Sequence, residues 1–290
     1  MIIVITGPTA LGKTKSAIKV AQTFNAEIIN GDAFQAYKEL NIGTAKPTEK
    51  ELALLPHHLY SFISPTHNYS IAEYQCNLRA KIQELLVKNK NIVIVGGSGL
   101  YIRSALYDYE FLPNKKVDIS KFEKMDNETL HQHLEKIDPE QAKIIHANNR
   151  KRVLRAIEIY YSTGETKSSL IEKQEHRPLY EARFFVRDLN RDELYQRINQ
   201  RVDEMFEQGL VEEVKSLVKK YDSNLHCFQA IGYKEIIDCL GNNGDLEQAK
   251  ELIKQHTRNY AKRQMTFIRH QFDVTYYKND DELLKEVKNV

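Results

Sequence analysis

Apolar residues fill positions 2–5 without a break, and from position 17 onward Ala17, Val20, Ala21 and Phe24 recur at three- and four-residue spacing. The first pattern is that of a strand buried on both faces, the second that of a helix with one apolar stripe. A second short strand is predicted over 26–30, ending at Gly31 and Asp32. Leu78, Ile82 and Leu85 mark a helix that stops near Asn89, and residues 91–95 form a third strand running into Gly96, Gly97, Ser98 and Gly99. Strand, helix and strand in alternation describe a doubly wound parallel sheet.

Past Tyr107 the pattern changes: Pro113, Lys115 and Lys116 introduce polar helical segments with few β-branched runs, lasting to about residue 182. A helical subdomain is therefore predicted over 108–182, inserted into a core made of residues 1–107 and 183–290. Residues 183–189 return to the sheet, Leu194, Ile198, Val202 and Met205 mark an amphipathic helix, and a long basic helix over 247–270 precedes a last strand at 273–277. With only 12 glycines and 7 prolines, long flexible linkers are not expected.

At 290 residues and 41% hydrophobic, the chain can bury a large core. No apolar stretch approaches the roughly 18 residues of a membrane span. Met1 leads straight into a strand with no secretory signal, which points to the cytoplasm, and nothing demands more than a monomer. Cys76, Cys227 and Cys239 form no C-x-x-C pair, so neither a disulfide framework nor a cysteine zinc site is expected.

The net charge of +2 does not by itself indicate a nucleic-acid partner, but its distribution is uneven. Lys143, Arg150, Lys151, Arg152 and Arg155 fall between 141 and 157 with no acid, and Lys254, Arg258, Lys262, Arg263 and Arg269 fall between 252 and 272, again with none. Each stretch is either a solvated helix face or a track for a phosphate backbone. On a helix, Arg155 lies one turn from both Lys151 and Arg152, which concentrates charge on one face. Tyr233, Tyr260 and Phe267 lie near the second stretch, as core residues or as platforms for bases.

Gly7, Pro8, Thr9, Ala10, Leu11, Gly12, Lys13 and Thr14 fit the phosphate-loop pattern G-x-x-x-x-G-K-[ST], placed between the first strand and the first helix. Glycines there let backbone N–H groups turn toward an anion, the helix adds its positive end, Lys13 a point charge, and Thr14 a hydroxyl for Mg²⁺. The fold expected is thus α/β, a parallel sheet like that of the P-loop NTPases, flanked by helices and carrying the helical insert. In such a sheet the ligand lies beyond the carboxyl ends of the strands. The second strand delivers Asp32 and Gln35 there, the third Ser98 and Tyr101. Asp32 is placed to hold a metal or to act as a general base, or else it caps a helix. Adjacent His57 and His58 on a strand point to opposite faces, which argues against a two-histidine metal site. Arg197 and Arg201, one helical turn apart, reach either a pyrophosphate or neighbouring acids.

Taken in order, these segments resemble the tRNA dimethylallyltransferases, also called tRNA isopentenyltransferases. The matching pieces are GPTALGKT at 7–14, GDAFQAY at 31–37, IGTAKP at 42–47, PHHL at 56–59, GGSGLYI at 96–102, RKRVLRAIE at 150–158, RINQRVDEMFEQGLVEEV at 197–214, QAIGYKE at 229–235 and TRNYAKRQMTFIR at 257–269. The phosphate loop is common to many enzymes, whereas IGTAKP, QAIGYKE and RNYAKRQ are far more specific.

The resemblance implies transfer of a dimethylallyl group from dimethylallyl diphosphate to N6 of the adenosine next to a tRNA anticodon on its 3′ side, with Mg²⁺ as cofactor. It implies that the loop holds the donor's diphosphate, aided by Arg197 or Arg201, and that Asp32 takes the proton of the attacking amine. Lys13, Thr14 and Ser98 join Asp32 in the catalytic set. Asp32, Ala33, Phe34, Gln35, Ser98 and Tyr101 meet the flipped nucleotide, while Lys151, Arg152, Val153, Leu154 and Arg155 of the insert clamp the anticodon arm. The sequence has Ala33 where Ser is frequent in the family, Ser98 for Thr and Phe267 for Trp. The zinc-finger extension of some eukaryotic relatives is not seen, so a compact bacterial-type enzyme is expected. The alternatives are an adenylate isopentenyltransferase, a P-loop small-molecule kinase and a nucleic-acid-binding NTPase with ATP in the loop.

Overall fold

The computed structural model describes residues 1–111 and 117–289, so Pro113, Lys115 and Lys116 lie outside the described residues. The chain forms two compact units, one made of Met1–Leu106 with Leu179–Val290, the other of Tyr107–Pro178.

The first unit is built on a parallel sheet of six strands: β1 (Ile2–Thr6), β2 (Ala26–Asn30), β3 (His57–His58), β4 (Asn91–Gly96), β5 (Ala182–Arg187) and β6 (Val274–Tyr277). Their order across the sheet is β3-β2-β4-β1-β5-β6. β1 lies between β4 and β5, with Thr6 in register with Gly96 on one side and Val186 on the other. The chain leaves β1 toward β2 and, after β4, crosses to the other side of β1. This reversal opens a crevice at the carboxyl ends of the central strands.

Helices cover both faces, which is why the central strands read as unbroken apolar runs. Ile3, Val4, Ile5, Val93 and Ile94 are wholly buried. Helix Lys13–Thr23 turns Ala17, Val20 and Ala21 onto Ile3, Ile5 and Val93, as its stripe predicts. Helix Ile71–Val87 starts at a reciprocal cap between Ser70 and Glu73 and buries Leu78, Ile82 and Leu85. In the carboxyl-terminal half, helix Leu246–Gln271 runs for about 39 Å. Its Ala261 packs with Leu194 and Ile198 of helix Arg191–Glu207 around Leu11, so the phosphate loop is anchored by a residue inside its own turn.

In the second unit, helices Asn127–Ile137, Pro139–Ile144 and Arg150–Thr163 enclose Phe122, Leu130, Leu134, Val153 and Ile157. Asp138, 1% exposed, caps one helix by accepting from the Gln141 N–H and ties in another by accepting from the Ser168 hydroxyl and N–H. One expectation is corrected here. Val153 is fully buried, so it cannot touch RNA; within the basic stretch it occupies the core-facing position of the helix, with Leu154 partly packed beside it.

β2 and β4 are pressed together where they enter the crevice. The Gly31 N–H donates to the Val95 carbonyl at 2.8 Å, and a Cβ on Gly96 would lie 2.1 Å from the Gly31 carbonyl carbon and oxygen. Backbone cannot swing aside as a side-chain tip can. Gly96→Ala is therefore expected to destabilise the fold by about 3 kcal/mol, measured as a lowered urea midpoint at unchanged slope.

Candidate active site

The loop after β1 brings its amides to the crevice, and of these the Thr9 N–H is taken by Gln264. Gly12 precedes helix Lys13–Thr23 in the left-handed conformation, φ 74°, no side chain caps the helix and its first turn holds no acid. An uncapped helix start of this kind binds anions through its free N–H groups and dipole. The Lys13 ammonium lies back over the loop, donating to the Pro8 carbonyl at 2.6 Å.

Beside this loop lies a cavity of about 570 Å³, entirely within the first unit. Thr9, Ala10, Gly12, Lys13 and Thr14 line it, whereas Gly7, Pro8 and Leu11 form the loop's inner side. Asp32 enters from the end of β2. Its Oδ1 accepts from the Phe34 N–H at 3.0 Å, and its own N–H donates to Asn30 Oδ1 at 2.9 Å. These are tight-turn contacts, and no helix follows, so the reading of Asp32 as a helix cap is set aside. Arg201 enters from helix Arg191–Glu207, followed on the same side by Val202 and Met205; with Ile198, Ile231 and Ile253 they give the cavity an apolar wall.

Charge and burial make this an anion site. The Lys13 ammonium is lowered to about 7, chiefly by burial and next by the Arg201 charge, with Asp32 opposing both. Burial also lowers Arg201, again with Asp32 as the main opposing charge. The Asp32 carboxyl is raised by burial against the pull of the Phe34 N–H, Lys13 and Arg201. Lys13, Lys15, Lys46, Arg201 and Arg263 thus line the cavity against the carboxylates of Asp32 and Glu51, an excess of positive charge that a multiply charged anion would correct.

Of the other expected residues, Phe34 and Gln35 line the cavity, while Ala33, Ser98 and Tyr101 stand behind its wall. Ser98 Oγ accepts from the Ala33 N–H at 3.1 Å, and Tyr101 packs edge-on against Tyr74. The Gln35 amide group donates to the carbonyls of Thr44 and Ala45, so its donors hold the protein's own loop rather than a base. Arg197 is paired with Glu193 at 2.8 Å and does not line the cavity. Tyr233 is no stacking platform: it is fully buried and its hydroxyl donates to Glu213. Lys254 pairs with Asp203, and Arg258 donates to Asn199, so part of the second basic stretch fastens one helix to another. Arg150 holds the Glu123 carbonyl and Arg155 pairs with Glu158, leaving Lys151 and Arg152 as exposed cations of the first stretch. His58 bonds to Glu27 and His57 to the Leu55 carbonyl, as packing rather than metal ligands.

Two residues near the site, Glu213 and Gln264, carry no local sequence signal, and a third, Tyr260, is one of the aromatic residues beside the second basic stretch. Glu213 accepts from the N–H groups of Asn41, Ile42 and Gly43 and holds the 41–47 loop against the cavity. Gln264 reaches both the phosphate loop and the turn after β4. Tyr260 lines the cavity, its phenol raised by burial, with Ser98 as a hydrogen-bond partner. Among the described residues there is no cluster of three metal-binding side chains. The donors present, the Thr14 hydroxyl and the Asp32 carboxylate beside an anion cradle, suit an ion carried mainly by ligand phosphates, as Mg²⁺ usually is.

The sequence model for the IPP transferase family matches residues 35–271. The tRNA dimethylallyltransferase of Bacillus cereus strain G9842 is 44% identical over 98% of this chain and 92% of its own, and that of Bacillus licheniformis 45% over 95% and 90%. Among solved structures, the tRNA delta(2)-isopentenylpyrophosphate transferase of Staphylococcus epidermidis superposes with a TM-score of 0.74 at 38% identity, covering 99% of this chain and 97% of that one. A eukaryotic dimethylallyltransferase acting on tRNA gives a TM-score of 0.83 at 28% identity, covering 99% and 76%.

Because an anion stabilises charged Lys13, its binding should draw in a proton at pH values above 7. Calorimetry of inorganic diphosphate binding at pH 8, in buffers of differing ionisation enthalpy, should show uptake of about one proton more for the wild type than for Lys13→Arg, which stays charged throughout. Equal uptake by the two proteins would contradict the lowered value for Lys13.

Proposed function

The chain belongs to the IPP transferase family, and from that premise we propose that it transfers a dimethylallyl group from dimethylallyl diphosphate to N6 of the adenosine 3′-adjacent to the anticodon in tRNA. The observation that carries the reading is the Asp32 carboxylate beside Lys13 and Arg201 in one cavity with an apolar wall. The cations and loop amides suit a departing diphosphate, and the apolar wall suits a five-carbon alkyl group.

In the proposed reaction the N6 nitrogen attacks C1 of the dimethylallyl group, the bond from C1 to the diphosphate oxygen breaks with its electron pair, and the N6 proton passes to Asp32. The N6 lone pair is delocalised into the adenine ring, so attack gains from a base placed to accept that proton. Burial raises Asp32, which makes it a stronger base than an exposed carboxylate, and the neighbouring cations oppose that shift. Lys13, Arg201 and the amides at the start of helix Lys13–Thr23 hold the leaving group; Thr14 would hold Mg²⁺, which would neutralise diphosphate charge. Phe34 supplies a face for the extruded base. The Tyr107–Pro178 unit, with Lys151 and Arg152 exposed on helix Arg150–Thr163, is assigned to the anticodon arm. No helix among the described residues is long and apolar enough to cross a membrane.

Labelled dimethylallyl diphosphate offered with unmodified tRNA, with free AMP, or replaced by labelled ATP separates the candidate reactions. Label is expected in tRNA only; label in AMP, or transferred from ATP, overturns the assignment. Asp32→Ala should cut transfer by at least about 100-fold while donor and tRNA affinities stay within about three-fold. In the wild type, kcat should rise with pH as the Asp32 carboxyl ionises, on a limb lying above the ordinary carboxylate range, because burial displaces it upward.

A further inference from the structure

The two halves of the proposed chemistry sit on strands that are not neighbours. The anion grip follows β1 and the carboxylate follows β2, with β4 between them in the sheet. Above that gap Gln264 arrives from helix Leu246–Gln271 with 6% of its surface exposed. Its Oε1 accepts from the Thr9 N–H of the phosphate loop at 3.2 Å, and its Nε2 donates to the Gly97 carbonyl of the turn after β4 at 2.9 Å. From that turn the contacts continue to the β2 end: the Ser98 N–H donates to the Gly31 carbonyl at 3.2 Å, and Ser98 Oγ accepts from the Ala33 N–H at 3.1 Å. Gly31 and Ala33 flank Asp32.

We propose that Gln264 is a positioning residue for the transfer, fixing the spacing between the diphosphate grip and the Asp32 carboxylate through the turn that follows β4. It rests on the reaction assigned above. The side-chain amide matches its two partners as a carboxylate cannot, since one end must accept and the other donate. The fit is also tight: a Cβ on Gly97 would lie 2.2 Å from Gln264 Nε2, so the turn carries glycine where the amide passes. In the proposed site the grip does not need Gln264, because Lys13 and the amides at the start of helix Lys13–Thr23 would meet the anion themselves. What Gln264 sets is where the held donor stands relative to the base and the incoming amine. A displacement of an ångström at that point is felt in the chemical step and hardly in binding.

The test compares wild type, Gln264→Leu, Gln264→Glu, Ser98→Ala and the double variant Gln264→Leu with Ser98→Ala, using labelled dimethylallyl diphosphate and tRNA. Leucine removes both hydrogen bonds; glutamate keeps the acceptor for Thr9 and sets a carboxylate against the Gly97 carbonyl, and serves if the leucine variant does not fold. Both Gln264 variants should lower kcat by about 100-fold, with the KM for donor and the diphosphate dissociation constant within about three-fold of wild type. The double variant should be no slower than the worse single one, because both residues act along one chain of contacts. Weakened diphosphate binding at unchanged kcat, or losses that multiply in the double variant, would overturn the proposal. Wild-type turnover in the same assay tests the reaction itself, and the ratio of variant to wild type tests the brace.

Discussion

Desolvated positive charge beside the Asp32 carboxylate is the constraint around which this crevice is organised. Lys13 and Arg201 are withheld from water, and each loses proton affinity for it. Asp32 opposes both shifts without cancelling them. Holding these charges away from water costs free energy, which the fold must supply from elsewhere. Sheet burial, the Leu11 anchor and the polar braces around the loops supply it.

Those braces share a form. Backbone groups of a crevice loop are satisfied by one side chain sent from a distant helix. Glu213 collects three successive N–H groups from the 41–43 segment, and Gln264 joins the phosphate loop to the turn after β4. Gln35 completes the set from within the loop region, taking the Thr44 and Ala45 carbonyls. Irregular segments at a ligand site therefore keep a defined shape without becoming regular structure, which would have hidden the amides needed by the anion.

The parts legible in the sequence were those written locally. An uninterrupted apolar run defines a central strand, and the phosphate loop is a contiguous pattern whose geometry follows from its own residues. Asp32 was legible because strand ends converge in this kind of sheet. Gln264 and Glu213 were not, because a brace spanning 167 or more residues, as between Gln264 and Gly97, leaves no period in the chain. Val153 shows the converse error: charge on both sides made it look like part of a surface, while the helical period turns it inward. Arg197 and Arg201 each have an acid within one helical turn, Glu193 before the first and Glu204 after the second, and only the packed helix separates the one bound to Glu193 from the one beside Asp32.

The Tyr107–Pro178 unit leaves and rejoins the chain at nearly one point. Tyr107 and Pro178 form an antiparallel bridge, the Asp108 N–H donates to the Arg177 carbonyl at 2.9 Å, and next to them the Leu179 N–H donates to the Leu106 carbonyl at 2.8 Å. A segment whose two ends are already joined imposes no route on the rest of the chain. In evolutionary terms it is a cassette: its length and surface can drift, or be exchanged, without rethreading a single strand of the sheet that performs the chemistry. Under the proposed function, recognition of the RNA arm and the alkyl-transfer step could then change at different rates within one gene product.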